Sequence, residues 1–148
     1  MRRRARECAL QILYQLDVAH DSERGSMAPE RLEQALASYW ESFEPVADDE
    51  RAFAERLARG VVGEIADLDR AIAAASHNWK LSRMDKVDRN LLRLAAFEIL
   101  HCPDVPRAVS INEALEIAKR YCGGESVAFI NGILDQLVPA PVTAGGGG

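Results

Sequence analysis

The sequence is short of the residues that most enzymes and secreted proteins depend on. Its 148 residues include three Cys, three His, two Trp, three Tyr and four Phe. Cys8, Cys102 and Cys122 lie far apart with no C-x-x-C pair, so neither a disulfide framework nor a zinc site is indicated, and a reducing cytoplasm fits. His20, His77 and His101 show no H-x-x-x-H spacing and read as loop or helix-end residues. There is no G-x-S-x-G, no P-loop and no G-x-G-x-x-G, so the reading is of a protein that is not an enzyme and uses no metal or cofactor. Long apolar runs are missing too, which leaves neither a signal-peptide core nor a membrane span. No stretch alternates with period two for long enough to suggest a strand. Positive charge is in short supply: 18 Lys and Arg stand against 23 Asp and Glu, for a net charge of -5.

That small stock of cations is unevenly placed. Residues 1–10 hold four Arg and one Glu, net +3, leaving -8 for the rest. Arg2, Arg3, Arg4 and Arg6 stand at the head of a helical pattern, where the positive pole of the helix dipole disfavours each exposed cation by roughly 0.3–1 kcal/mol. Glu7 is the one acidic neighbour. An external anion would relieve the conflict, and arginine forks at a helix N-terminus suit a polyanion such as RNA or DNA. A local basic face is a better nucleic-acid footprint than overall charge, because phosphate contacts act over about a Debye length.

With 48% hydrophobic residues, the chain suits one domain over residues 1–138, able to bury roughly two-thirds of its unfolded surface; the Pro- and Gly-rich stretch 139–148 reads as a disordered tail. Ala5, Cys8, Ala9, Ile12, Leu13 and Leu16 mark a first helix ending near His20. A second follows Pro29, with Leu32, Ala35, Leu36, Tyr39, Trp40 and Phe43 inward, and stops at Glu44 and Pro45. After Asp48, Asp49 and Glu50, positions Ala54, Leu57, Val61, Ile65, Leu68, Ile72 and Ala75 keep one face and predict a single long helix. Gly60 and Gly63 within it suggest close approach of another helix, with a bend as the competing account.

Ser82 and Asp85 resemble a capping box, followed by a central helix that is apolar around most of its circumference and carries an odd Glu98, read as a structural carboxylate tying down a backbone group or an arginine. Ser110 and Glu113 read as the capping box of the next helix, which Gly123 and Gly124 end. Glu125 or Ser126 then caps a last helix with Ile130, Ile133, Leu134, Leu137 and Val138 inward. The fold class is all-α, with one internal division expected at residues 76–81, between an N-terminal three-helix group and the rest.

Three further features bear on a nucleic-acid surface. Lys80, Arg83, Lys86, Arg89 and Arg93 read as a solvated helix face, paired with Asp85 and Asp88. Lys119 and Arg120 either reach a phosphate or complement their helix C-terminus. Phe129 sits about 100° from the apolar stripe of its helix, where it either stacks an unpaired base or packs as a satellite of the core. A stacking phenyl suits single-stranded RNA better than duplex DNA.

Arg2–Glu7 (RRRARE), Trp79–Glu98 (WKLSRMDKVDRNLLRLAAFE), Val109–Lys119 (VSINEALEIAK) and Phe129–Asp135 (FINGILD), in this order, resemble the NusB family of bacterial transcription antitermination factors. The resemblance spans residues 2–138 and implies about seven helices in two packed bundles, no catalysis, and a cytoplasmic setting. It implies binding of single-stranded boxA-type leader RNA of ribosomal RNA operons together with the ribosomal protein NusE, within an RNA polymerase elongation complex carrying other Nus factors. The RNA positions it implies are Arg2, Arg3, Arg4, Arg6, Lys119, Arg120, Glu125 and Phe129; the NusE-facing positions are Asp88 and Ser82, with serine at 82 where some relatives are acidic. The chain departs from many relatives in starting almost directly at the arginines and in its glycine-rich, lysine-free end.

Two other readings compete. Similar helical domains precede the catalytic domain of ribosomal RNA cytosine-5 methyltransferases, but the chain holds no SAM-binding Rossmann unit. A helix-turn-helix DNA binder needs a polar, basic recognition helix, and residues 79–93 are too apolar for one. Monomer and homodimer are both open.

Overall fold

The computed structural model describes residues 2–19, 27–42, 45–77 and 84–138. They form seven helices and no strand: α1 Arg2–Ala19, α2 Pro29–Ser42, α3 Asp48–Gly63, α4 Ile65–Ser76, α5 Lys86–His101, α6 Arg107–Tyr121 and α7 Gly124–Gln136. Helices α1, α2 and α3 pack on one another, while α4, α6 and α7 gather around α5. The two groups meet where α1 and α3 lie against α5. Among the described residues no helix is long and apolar enough to cross a membrane.

The predicted long helix is two helices. Gly63 ends α3, and Glu64, at φ -113° and ψ 19°, separates it from α4. The apolar face runs on across the break because Leu68 and Ile72 are buried as well, but α4 packs mainly on α5 and α7 rather than within the N-terminal group. The internal division therefore falls at Glu64, not at residues 76–81. Both explanations of the glycines hold, one each: a Cβ on Gly60 would fall inside the Phe97 ring of α5, whereas one on Gly63 would meet nothing within 4 Å.

Local signals set several of the helix ends. The Asp85 carboxylate accepts from the Val87 N–H at 3.0 Å and caps α5. Asp48, Asp49 and Glu50 fill the first turn of α3, where acidic side chains favour the dipole. Helix α6 begins four residues before its expected start, after Pro106, so Ser110 and Glu113 form no capping box. Their side chains are used between helices instead. Helix α7 starts at Gly124 with Gly123 as its N-cap and no side-chain cap, and the Ser126 hydroxyl reaches Asp88 of α5 at 2.8 Å.

The reading of a solvated basic face on residues 79–93 is overturned where the structure describes it. Arg89 donates to Asp17 of α1 at 2.7 Å, Asn90 donates to the same carboxylate at 2.8 Å, and Arg93 grips Asp69 of α4 at 2.8 and 2.9 Å. All three side chains are buried, and each buried polar atom has a partner. These cations join α1, α4 and α5 across the boundary between the groups and are not available to a ligand.

Candidate nucleic-acid interface

Helix α1 is buried around most of its circumference, from Ala5 to Leu10 without a gap, so only the residues before Ala5 form a partly open head. Arg6 grips Glu98 of α5 in a two-pronged pair at 2.7 and 2.8 Å, and the Ser110 hydroxyl of α6 donates to the same carboxylate at 3.0 Å. The two side chains are 4% and 2% exposed. Arg6 is thus a structural cation and is withdrawn from the residues that could touch RNA. Glu98 meets the expectation of a carboxylate tying down an arginine.

Arg3 lies one turn earlier and nearer the surface. Its Nε and Nη2 both donate to Glu113 of α6 at 2.9 Å, with the two side chains 42% and 21% exposed. That fork holds the Glu113 carboxyl below the usual carboxylate range and raises the Arg3 guanidinium. Arg2 is exposed, its guanidinium 4.3 Å from the Phe53 ring centre, and half-buried Arg4 has no carboxylate partner among the described residues. The electrostatic conflict at the helix head is therefore answered in part from within, by acids far away in sequence.

The same docking brings the other basic segment alongside. Arg120 donates to Glu7 at 3.0 Å, linking the end of α6 to α1, and stays largely exposed over a nearly buried carboxylate. Lys119 pairs with Glu116 at 2.8 Å on an exposed face. Glu125 is exposed in the first turn of α7. Phe129 is half-buried and packs against the core, so satellite packing accounts for part of the ring and the rest stays accessible.

Two aromatics were missed in the sequence. Tyr14 and Tyr121 are 40% and 38% exposed and, with Leu10, Gln11, Gln15 and Val87, bound a cleft of about 430 Å³ between α1, α5 and α6. Tyr121 follows Arg120 and was legible as an aromatic beside a cation, whereas Tyr14 lies outside the apolar stripe of α1 with no cation next to it.

Asp88 is less open than a docking residue should be. It accepts from Ser126, and the Cys122 thiol hydrogen-bonds to it; burial first, and that bond second, push the thiol up to about 12. Asp88 therefore ties α5 to the α6–α7 turn. Ser82 lies outside the described residues, as does the tail 139–148. Among the described residues no group of three His, Cys, Asp or Glu could hold a metal ion.

Comparison with known proteins places this geometry. The model of the NusB family matches residues 3–139. A transcription antitermination protein NusB from Anaeromyxobacter dehalogenans is 51% identical over 136 residues, covering 92% of this chain and 89% of its own. One from Trichlorobacter lovleyi is 48% identical over 141 residues, with 95% and 92% covered. Among solved structures, T. maritima NusB superposes with a TM-score of 0.79 at 38% identity, covering 95% of this chain and 94% of that one. A crystal structure of the antitermination factors NusB and NusE in complex with dsRNA gives a TM-score of 0.75 at 25% identity, with 93% and 96% covered.

Proposed function

The chain belongs to the NusB family, and from that premise we propose how it works as a transcription antitermination factor on RNA. It binds boxA-type leader RNA of ribosomal RNA operons together with NusE, and joins other Nus factors on the RNA polymerase elongation complex, in the cytoplasm. It performs no catalysis. Curated relatives of nearly equal length are antitermination proteins, so the methyltransferase reading is not favoured.

The observation that carries this reading is the docking of α1 on α6 through Arg3–Glu113 and Glu7–Arg120, which brings two basic segments over a hundred residues apart onto one edge, where α1 and α6 also contribute to a cleft with two exposed tyrosines. Arg2, Arg3, Arg4, Lys119 and Arg120 would supply phosphate contacts and register. Phe129, Tyr14 and Tyr121 would offer faces to unstacked bases, and Glu125 would border the path. Residues 1–138 would act as one unit, with the tail outside it. NusE would dock on the side of α5 that carries Asp88, with Ser82 as a second contact.

Stacking on exposed rings requires open bases, so the RNA is read here as single-stranded, although the related complex holds dsRNA. The test is a titration of a boxA-type strand, its scramble and its duplex, at two salt concentrations, with and without NusE. The strand should bind more tightly than the other two, and NusE should tighten it further. Equal affinity for all three ends the single-stranded reading, and no effect of NusE ends the joint one.

A further inference from the structure

The Arg3–Glu113 pair differs from the other ion pairs at the helix head in a way that bears on ligand exchange. Its geometry is side-on, like that of Arg6–Glu98, with Nε and Nη2 each 2.9 Å from a separate carboxylate oxygen, and the difference lies in solvation. A phosphodiester presents two non-bridging oxygens to such a fork in the same manner. The Arg3–Glu113 pair is partly solvated, whereas Arg6–Glu98 is sealed. An exposed pair is held weakly and exchanges partners cheaply, while a sealed one resists removal of either member. Glu113 also lies 3.9 Å from Arg6 Nη1, and with Arg2 and Arg3 it lines a pocket of about 270 Å³ between the start of α1 and the start of α6.

We infer that the Glu113 carboxylate occupies a phosphate subsite in the free protein, and that an RNA phosphate displaces it from the Arg3 fork on binding. This rests on the RNA reading above. Its consequence is that Glu113 opposes RNA binding: it neutralises Arg3 before the ligand arrives and repels the phosphate that replaces it. The acid keeps the arginine ordered and aimed, so the device exchanges some affinity for a preset fork geometry. Arg6, anchored by Glu98 and Ser110, is the fixed wall against which the exchange takes place.

The experiment uses the full chain and a short labelled boxA-type single-stranded RNA, comparing the parent with Glu113→Gln, Arg3→Ala and the double variant, with melting temperatures taken alongside. Gln keeps the shape and one acceptor but loses the charge. Glu113→Gln should tighten binding roughly two- to fivefold and steepen the salt dependence by up to about 0.7 in log–log slope. In the Arg3→Ala background the same change should give no gain. A gain that persists without Arg3 would reduce the effect to general repulsion and overturn the inference. So would unchanged affinity and slope for a folded Glu113→Gln while Arg3→Ala weakens binding, an outcome that leaves the RNA reading standing. A parent chain that binds no RNA overturns both.

Discussion

Removing Arg6 would strand the Glu98 carboxylate, which is 1% exposed, with the Ser110 hydroxyl as its remaining hydrogen-bond donor. Breaking a sealed pair from one side typically costs about 3–5 kcal/mol, because the surviving charge stays buried without compensation. Arg6→Ala should therefore lower unfolding free energy by about that amount in urea melts, and Arg6→Lys should recover only part of it, since an ammonium cannot fill a two-pronged site. A loss within the roughly 0–1 kcal/mol of an exposed pair would put Arg6 back on the surface. Sequence alone suggested the opposite role, as four arginines within five residues look alike until packing separates them. What distinguishes Arg6 is that its pair, with a partner 92 residues away, is sealed from solvent, and no local pattern announces it. Glu98 was legible for the complementary reason: a carboxylate on the mostly apolar stretch of its helix needs a partner, a backbone group or an arginine.

At the scale of the helices, α3 tests how backbone spacing is set. Gly60 faces the Phe97 ring at a distance that leaves no room for a methyl, so Gly60→Ala should force the ring aside and cost about 1–3 kcal/mol. Gly63→Ala meets no neighbour and should be neutral, or stabilising by up to about 1 kcal/mol through helix propensity. Equal effects at the two sites, read from thermal melts, would contradict the close approach of α3 and α5. The helices themselves were readable because their buried stripes repeat at helical spacing. The break at Glu64 was not, since the stripe continues through it and only the identity of the neighbouring helix changes. The start of α6 was misread because Ser110 and Glu113 have the spacing of a capping box while serving Glu98 and Arg3.

The turn between α5 and α6 carries a second check at this scale. Arg56 of α3 donates to both oxygens of Asp104, at 2.7 and 2.9 Å, and this bond depresses the Asp104 carboxyl to about 2. A depressed folded-state value means that the contribution is present above the ordinary carboxylate range and is lost as pH falls through the folded value. Asp104→Asn should therefore be less stable than the parent near neutrality, and the two should converge as pH drops from about 4 towards 2. Denaturant midpoints across that window provide the measurement. A gap that stays constant down to pH 2 would mean the asparagine acts through packing rather than charge.

For the whole molecule, an acidic body with a small basic edge limits how RNA can be held. With -8 carried outside the first ten residues, a strand that leaves the basic edge meets repulsion, which favours a short, defined contact over non-specific coating. The salt dependence should reflect how few cations are free. Arg2 and Arg4 have no carboxylate partner among the described residues, whereas Arg3, Lys119 and Arg120 are each paired with one. A cation released onto a single strand contributes about 0.7 to the log–log slope, so Arg2 and Arg4 alone give about 1.4 and all five acting freely give about 3.5. Because a paired cation has already shed most of its counterions, the measured slope for a boxA-type strand without NusE should lie nearer the lower figure. A slope steeper than about 3.5 would require cations beyond these five and would move the RNA path off the α1–α6 edge. A slope well below about 1.4 would mean that Arg2 and Arg4 do not reach phosphate, and binding would then rest on stacking at Tyr14, Tyr121 and Phe129.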